Sequence, residues 1–193
     1  MKAELVEWTK AILLLSILCF FGPIEIKELA FGVPISLQSL IILTIPFLVQ
    51  KKFGLLIIII YILLGCIGLP VFADYSFGWS KLIGPTAGFI FAFPIAAYLL
   101  GYIDEFHLSQ KSRRFSGLFL RITFLIILGH LILLLIGMPV LSYFHGSEII
   151  LPIIRDLIPG LLIKSLLGGF FVSVFKVVLP NYFGKTGVNE MVK

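Results

Sequence analysis

Long uncharged runs of apolar residues constrain this chain more than any other feature of its sequence. A helix that crosses a bilayer needs about 20 mostly apolar residues. Most of the runs reach about that length; the first is shorter, but Trp8 and Lys10 can extend it at the interface. Only the last run contains a charge, Lys164. The runs are Ala11–Ile24, Leu29–Gln50, Phe53–Ala73, Leu82–Ile103, Ile122–Ser147 and Leu157–Phe175.

These runs predict an all-α integral membrane protein with six transmembrane helices in a single domain over residues 1–193. The predicted spans are roughly residues 8–24, 35–50, 53–70, 82–103, 115–138 and 157–179. Gly22-Pro23, Gly68-Leu69-Pro70 and Gly137-Met138-Pro139 are expected to end the odd-numbered helices, because proline interrupts helical hydrogen bonding. The loops that follow suit either a lid over a pocket or an inert surface.

The composition excludes several classes of protein. Of the 193 residues, 60% are hydrophobic and 13% are charged, and the mean hydropathy is +1.14. A soluble domain carries about 25% charged residues, so a soluble enzyme, a disordered chain and a nucleic-acid-binding domain are all excluded. Cys19 and Cys66 lie inside apolar runs, so neither a disulfide framework nor a metal site is predicted. No cofactor is predicted either.

The basic residues predict the orientation. Since positively charged loops stay in the cytoplasm, six spans place both termini there, in the cell (plasma or inner) membrane of a bacterial-type cell. The opposite side carries only Lys27, Lys81 and Arg155. The cytoplasmic side carries Lys2, Lys10, Lys51, Lys52, Lys111, Arg113, Arg114, Arg121, Lys176, Lys185 and Lys193.

Lys164 is the most informative single position. It lies near the middle of the last apolar run, where a lysine costs at least about 2.5–3.5 kcal/mol unless it is paired or reaches water. Snorkelling to the interface is the alternative, but the stem of a lysine is short for this depth. A cation here suits a carboxylate or a carbonyl oxygen of a bound ligand.

The loop after the third predicted span is a second candidate region. Asp74, Tyr75 and Trp79 combine a charge with aromatic rings, as small-molecule pockets do. An aromatic belt at the membrane interface explains the same residues equally well. Gln38, near the start of the second span, either binds a ligand or ties two helices together, and tying is favoured for a lone Gln.

Two other classes of function remain as alternatives. A membrane-embedded enzyme would use Lys164, Asp74 or His130 as acid or base, but no spacing brings two titratable groups together. His107 and His145 do not form a metal-ligand motif with His130, and no P-loop for ATP hydrolysis is present. A membrane scaffold would be favoured if Lys164 were ion-paired and ligand-free.

Four segments carry a resemblance to a known family. They are Val33–Leu40, Tyr61–Ala73, Gly84–Phe89 and Leu157–Lys164. They resemble the VPxTxQ, YLLxGxxGLPVFA, GPTGGY and PGDLxK motifs of BioY proteins, the biotin-specific S components of energy-coupling-factor (ECF) transporters. The matches follow the family's order and spacing over about residues 31–103 and 152–170.

The resemblance implies an S-component fold and high-affinity capture of biotin from outside, in a pocket roofed by the loops after the first and third helices. The implied partners are the lipid bilayer, a transmembrane coupling subunit and two cytoplasmic ATPases, which supply energy while the S component tilts in the membrane. No nucleic acid is expected. An S component for another vitamin is the alternative within the same class.

One departure from the family pattern concerns the binding site. The family's acidic residue three positions before the lysine is Leu161 here, so only Lys164 of the implied Asp–Lys pair carries over. Asp74, Asp156 or the ligand's own carboxylate would have to supply the anion. The predicted substrate-binding residues are Lys164, Gln38, Asp74, Tyr75, Trp79, Thr86 and Asp156, with no catalytic or metal-ligating residue.

Overall fold

The computed structural model describes residues 2–28, 34–107 and 115–179, which form seven α-helices and a two-stranded sheet. In chain order the elements are α1 Lys2–Phe21, β1 Glu25–Glu28, β2 Pro34–Ser36, α2 Gln38–Leu48, α3 Lys51–Cys66, α4 Ser80–Ile83, α5 Ala87–His107, α6 Phe115–His145 and α7 Ile150–Val178. Several residues of the sequence analysis lie outside the described ranges: Val33, Lys111, Arg113, Arg114, Lys185 and Lys193.

Helix α2 forms the centre of the helical bundle. It packs against α1, α3, α5, α6 and α7, and Ile42, Leu43 and Ile45 are fully buried. A helix enclosed on all sides needs no polar face, which explains why most of its residues are apolar. Its 11 residues extend only about 16 Å at 1.5 Å per residue. The helix alone is therefore about half as long as a bilayer's hydrocarbon core, which is about 30 Å thick.

Three helical segments in the described part of the chain are long and apolar enough to cross a membrane. These segments are Ala87–Phe106, Phe115–His145 and Ser147–Val178. Each predicted span overlaps one of the helices α1, α2, α3, α5, α6 or α7, although the bounds differ. For example, α3 ends at Cys66 and α7 begins at Ile150. The number and limits of the spans stay predictions.

The expectation that Gly137-Met138-Pro139 ends a helix is wrong. Helix α6 continues through Pro139 and ends at His145. Met138 packs with Ile149 and Ile153 in a small apolar cluster between α6 and α7. Burial of this stretch outweighs the single backbone hydrogen bond that a proline removes.

A β-hairpin occupies much of the segment between α1 and α2, where only a loop was expected. Leu37 N donates to Ile24 O at 3.1 Å, which fixes the hairpin beside the end of α1. Proline is tolerated here because β2 begins at Pro34 and, among the described residues, pairs with a strand on one side only. The paired residues are Glu25 with Ser36, Lys27 with Ile35 and Glu28 with Pro34.

The opposite end of the bundle contains buried ion pairs. Asp104 of α5 is fully buried and pairs with Arg121 of α6 and with Lys176 of α7, the latter at 3.2 Å. Nearby, Glu7 and Lys10 of α1 form a second buried pair. We call these residues the inner charge layer. It joins the long helices at the end where α5 and α7 finish and where α6 begins.

Candidate binding cavity

A cavity of about 280 Å³ lies at the other end of the bundle, between α2, α5, α6 and α7. This volume is near the lower limit of small-molecule pockets, which are usually about 300–1,000 Å³. Most of its wall is apolar, with Phe89, Phe93, Leu133 and Leu134 among the lining residues. A few polar groups interrupt that wall, which is the usual composition of a site for a small organic ligand.

Lys164 is the cation in this wall. Its side chain is only 8% exposed, and Nζ donates to Ser39 Oγ at 2.7 Å, with Ser36 O at 3.5 Å. In the part of the chain that the structure describes, no carboxylate oxygen lies within the 4.0 Å of an ion pair with this lysine. The ammonium is therefore held by a hydroxyl and a carbonyl dipole rather than by an opposite charge.

Two glycines of α7 explain how this lysine reaches α2. A Cβ atom on Gly168 would lie 2.8 Å from Ile126 of α6 and 2.9 Å from Thr44 of α2. A Cβ atom on Gly169 would collide with Thr123 of α6. The absence of side chains at both positions lets α7 approach its neighbours closely, one turn from Lys164.

His130 of α6 lines the same cavity and is 5% exposed. Its Nδ1 lies 3.0 Å from Ile126 O and 3.3 Å from Ser165 Oγ. The Ser165 hydroxyl donates to Leu161 O at 2.8 Å. Sequence reasoning considered His130 only as an acid or base, because a single histidine in an apolar run gives no spacing signal. Its neighbours on α7 become visible only in the fold.

The two segments that the resemblance places over the pocket both contribute to its wall. Glu25 and Ser36 belong to the hairpin, and Phe72, Ala73, Asp74 and Ser76 belong to the connection after α3. A backbone hydrogen bond connects this region to the segment after α1, since Asp74 N donates to Pro23 O at 3.0 Å. We call these lining residues of the hairpin and of the connection after α3 the roof. Ala73 N donates to Gln38 Oε1 at 3.2 Å, so Gln38 ties the roof to α2.

The segment Tyr61–Ala73, which resembles the YLLxGxxGLPVFA motif, has a structural explanation. Tyr61 OH donates to Val71 O at 2.7 Å, and the Tyr61 ring meets Phe72 edge to face. The Phe72 ring lies directly against Gly65, where any Cβ would collide with it. Gly68 has a φ of +109°, which only glycine adopts readily. The motif therefore folds the chain back so that Phe72 becomes part of the cavity wall.

The predicted site residues divide into two groups. Lys164, Gln38, Asp74 and Thr86 line the cavity. Tyr75 and Trp79 are 59% and 65% exposed, and like the exposed Asp156 they are not among its lining residues. Among the described contacts, neither Asp74 nor Asp156 forms an ion pair with Lys164. Ligand contact by any of the seven stays a prediction.

A comparison of the sequence with protein-family models identifies the family of this chain. The model described as the BioY family matches residues 1–181. The chain belongs to the BioY family. The match includes the hairpin, the cavity and the helices that carry the inner charge layer, so BioY membership applies to the whole described fold.

Curated BioY relatives differ in how much of the chain they match. The biotin transporter BioY2 of Lactococcus lactis is 30% identical over 152 residues, 79% of this chain and 74% of that protein. The biotin transporter BioY of Thermotoga maritima is 40% identical over 73 residues, 38% of this chain and 43% of that protein. The chain therefore spans less than half the length of the latter relative.

A solved structure has the same fold. It is the S component for biotin from an ECF-type ABC transporter, and it matches with a TM-score of 0.79 at 22% identity, over 93% of this chain and 96% of that one. At this identity the likeness establishes the fold, which is mostly helical and of the S-component type. Together with its apolar helices, BioY membership makes this chain a membrane protein.

Proposed function

We propose that this chain is the substrate-binding subunit of an ECF-type transporter and that it captures biotin. The observation that carries this proposal is Lys164, a buried ammonium in an apolar cavity with no carboxylate partner among the described residues. Such a cation is costly in a membrane unless a ligand or water meets it. The names of the curated relatives and of the structural neighbour point to the same ligand.

The chemistry of biotin fits the cavity. The molecule combines an apolar bicyclic ring system with a polar ureido group and a carboxylate that is ionised at neutral pH. Phe89, Phe93 and Leu133 would cover the ring system, and Lys164 would meet one of the ligand's oxygens. Gln38, Asp74 and Thr86 are further contact candidates from the wall. Tyr75, Trp79 and Asp156 would require the roof to rearrange around the ligand.

The topology and partners belong to the same proposal. Six spans with both termini in the cytoplasm would place the hairpin and the roof outside the cell and the inner charge layer at the cytoplasmic side of the cell membrane. A transmembrane coupling subunit and two ATPases would then provide the energy for uptake. The scaffold alternative loses its main support, because Lys164 has no ion-pair partner among the described residues.

A second candidate function is capture of a different vitamin by the same cavity. Leu161 favours this candidate. It is buried and lines the cavity wall one turn before Lys164, at the position where the PGDLxK motif has an acidic residue. A ligand that needs no anionic partner at that point would bind equally well.

The proposal is tested by titration calorimetry of the purified protein in detergent, with biotin and a panel of other vitamins. We expect tight biotin binding that Lys164→Met weakens roughly 10- to 100-fold, because a hydrogen bond to a charged group contributes about 1.5–3 kcal/mol. The thermal stability of the ligand-free protein should not fall, since the substitution removes a buried charge. Lys52→Met is the matched control, because Lys52 is exposed and lies away from the cavity.

The calorimetric titrations have three informative outcomes. Folded wild-type protein that binds another vitamin but not biotin would favour the second candidate. Folded protein that binds none of them would overturn the capture function. Equal loss of affinity in the Lys164 and Lys52 variants would overturn the role of the buried ammonium.

A further inference from the structure

His130 has one ring nitrogen that the protein does not satisfy. Nε2 is buried and has no hydrogen-bond partner in the described ranges, although the ring lines the cavity. A buried polar atom without a partner is destabilising, so nearly all such atoms in proteins are hydrogen-bonded. The ring is not an incidental surface group, since its exposure is only 5%. Its second nitrogen therefore indicates a partner that enters the cavity.

The contacts of the first nitrogen define what that partner must offer. Nδ1 lies 3.0 Å from Ile126 O. A carbonyl oxygen only accepts hydrogen bonds, so Nδ1 must carry a proton. In the neutral imidazole with its proton on Nδ1, Nε2 holds a lone pair and is an acceptor. The missing partner is a hydrogen-bond donor.

The neighbouring residues of α7 reinforce this geometry. Ser165 Oγ lies 3.3 Å from Nδ1 and donates its own proton to Leu161 O, so the ring is positioned from α6 and α7 together. Lys164, the next residue along, directs its donors to Ser39 and Ser36. The side chain of Leu161 offers no acceptor, and its carbonyl oxygen accepts from Ser165. Among these residues, His130 supplies the acceptor beside the lysine's donors.

We propose that His130 Nε2 accepts a hydrogen bond from a ureido N–H of bound biotin and so contributes to ligand specificity. This inference rests on the proposed function. The N–H groups of the ureido ring are the hydrogen-bond donors of ionised biotin, so an acceptor in the wall selects that end of the molecule. The adjacent Lys164 donor then suits the ureido carbonyl oxygen or another oxygen of the ligand.

Two amide substitutions separate the two nitrogens of the ring. His130→Gln places an amide oxygen close to the position of Nε2, whereas His130→Asn places its amide close to Nδ1. We expect His130→Asn to weaken biotin binding roughly 10-fold, because an N–H of the ligand loses its acceptor. His130→Gln should stay within about 3-fold of the wild type. Calorimetry measures affinity, and thermal unfolding checks that each variant is folded.

A chemical change in the ligand provides the second arm. Biotin methylated on one or the other ureido nitrogen lacks the corresponding N–H. One of the two isomers should bind the wild type more weakly than biotin does. The ratio of the two affinities should be smaller in His130→Asn, because the hydrogen bond to Nε2 is already lost in that variant. If His130→Asn does not fold, ¹⁵N-histidine labelling of the wild type replaces it. The Nε2 resonance should then shift with biotin and not with that isomer.

The outcomes distinguish this inference from the proposed function. No biotin binding by folded wild-type protein would overturn the proposed function, and the inference with it. Tight wild-type binding that is unchanged in a folded His130→Asn variant would overturn the inference alone. Tight binding with an unshifted Nε2 resonance would do the same.

Discussion

The two ends of this bundle handle buried charge in opposite ways. In the inner charge layer, Asp104 meets both Arg121 and Lys176, and Glu7 meets Lys10. At the cavity end, Lys164 meets only a hydroxyl and a carbonyl oxygen among the described residues. Both arrangements are expensive in an apolar environment unless every charge finds a partner. The first is completed by the protein, and we propose that a ligand completes the second.

This difference separates a structural role from a binding role. A closed set of ion pairs is most stable with all its members present, so removing one leaves an uncompensated charge. An ammonium without a counter-ion stabilises the ligand complex rather than the empty protein. Substitutions in the inner charge layer should therefore lower stability without changing ligand affinity. Substitution of Lys164 should lower ligand affinity without lowering stability.

The largest expected effect follows substitution of Asp104. In Asp104→Asn the cations of Arg121 and Lys176 lose a fully buried carboxylate, which should cost about 3–5 kcal/mol of stability. We expect a large fall in the thermal unfolding temperature of the purified protein. The biotin affinity of the protein that remains folded should be unchanged, because the site lies at the other end of the bundle.

The adjacent acidic residue on α5 is the matched control. Glu105 pairs with Lys51 at 3.3 Å, but both side chains are partly exposed, so Glu105→Gln should cost at most about 1 kcal/mol. Adding Lys176→Met to Asp104→Asn should restore part of the lost stability. Equal stability of the Asp104 and Glu105 variants would show that burial does not make the ion pairs of Asp104 contribute more to stability than that of Glu105.

Part of this contrast could be predicted from the sequence. The apolar runs predicted helices in the correct order, and the single charge in the last run indicated Lys164. Both are properties of neighbouring residues, which composition and spacing record directly. The motif around Gly65 could be matched, but its reason, close contact with Phe72, required the fold.

The remainder depends on contacts between distant parts of the chain. His130 lies in α6 and Ser165 in α7, so nothing near either residue in the sequence indicates the other. The hairpin strands are short, and the hydrogen bond from Leu37 N to Ile24 O beside them joins residues that are 13 positions apart. Pro139 suggested a helix end, yet packing against Ile149 and Ile153 carries α6 past it. Tertiary packing outweighed a local signal in that case.

A smaller effect is expected at the tie between the roof and α2. Gln38→Met keeps the size of the side chain but removes the acceptor of Ala73 N, which should cost about 0.5–1.5 kcal/mol. We expect biotin to bind roughly 2- to 10-fold more weakly, mainly through faster dissociation, because the roof is less firmly held. Release of radiolabelled biotin from the purified protein measures this rate.

A proline provides the complementary change. Ala73→Pro removes the donor of the same hydrogen bond, and the extended conformation of Phe72 is compatible with a following proline. If Gln38 acts as a tie, the two substitutions should not be additive. Full additivity would indicate that Gln38 contacts the ligand independently of Ala73.

The smallest expected effect is at the outer surface of the roof. Asp74 and Tyr75 have φ values of 56° and 51°, in the left-handed region that L residues other than Asn and Asp rarely adopt. Tyr75→Gly should remove about 1–2 kcal/mol of strain. The greater freedom of glycine in the unfolded chain offsets roughly 0.5–1 kcal/mol of that gain. We therefore expect thermal stability to rise slightly or stay level.

Binding measurements on the same variant decide whether Tyr75 contacts the ligand. Because its ring is largely exposed and outside the cavity wall, the affinity for biotin should change less than about 2-fold, and Trp79→Ala should behave alike. Gly78→Ala is the converse variant, since it introduces a side chain at a φ of +93° and should reduce stability. A large loss of affinity in Tyr75→Gly, with stability intact, would mean that the roof closes over bound biotin and brings this ring into the site.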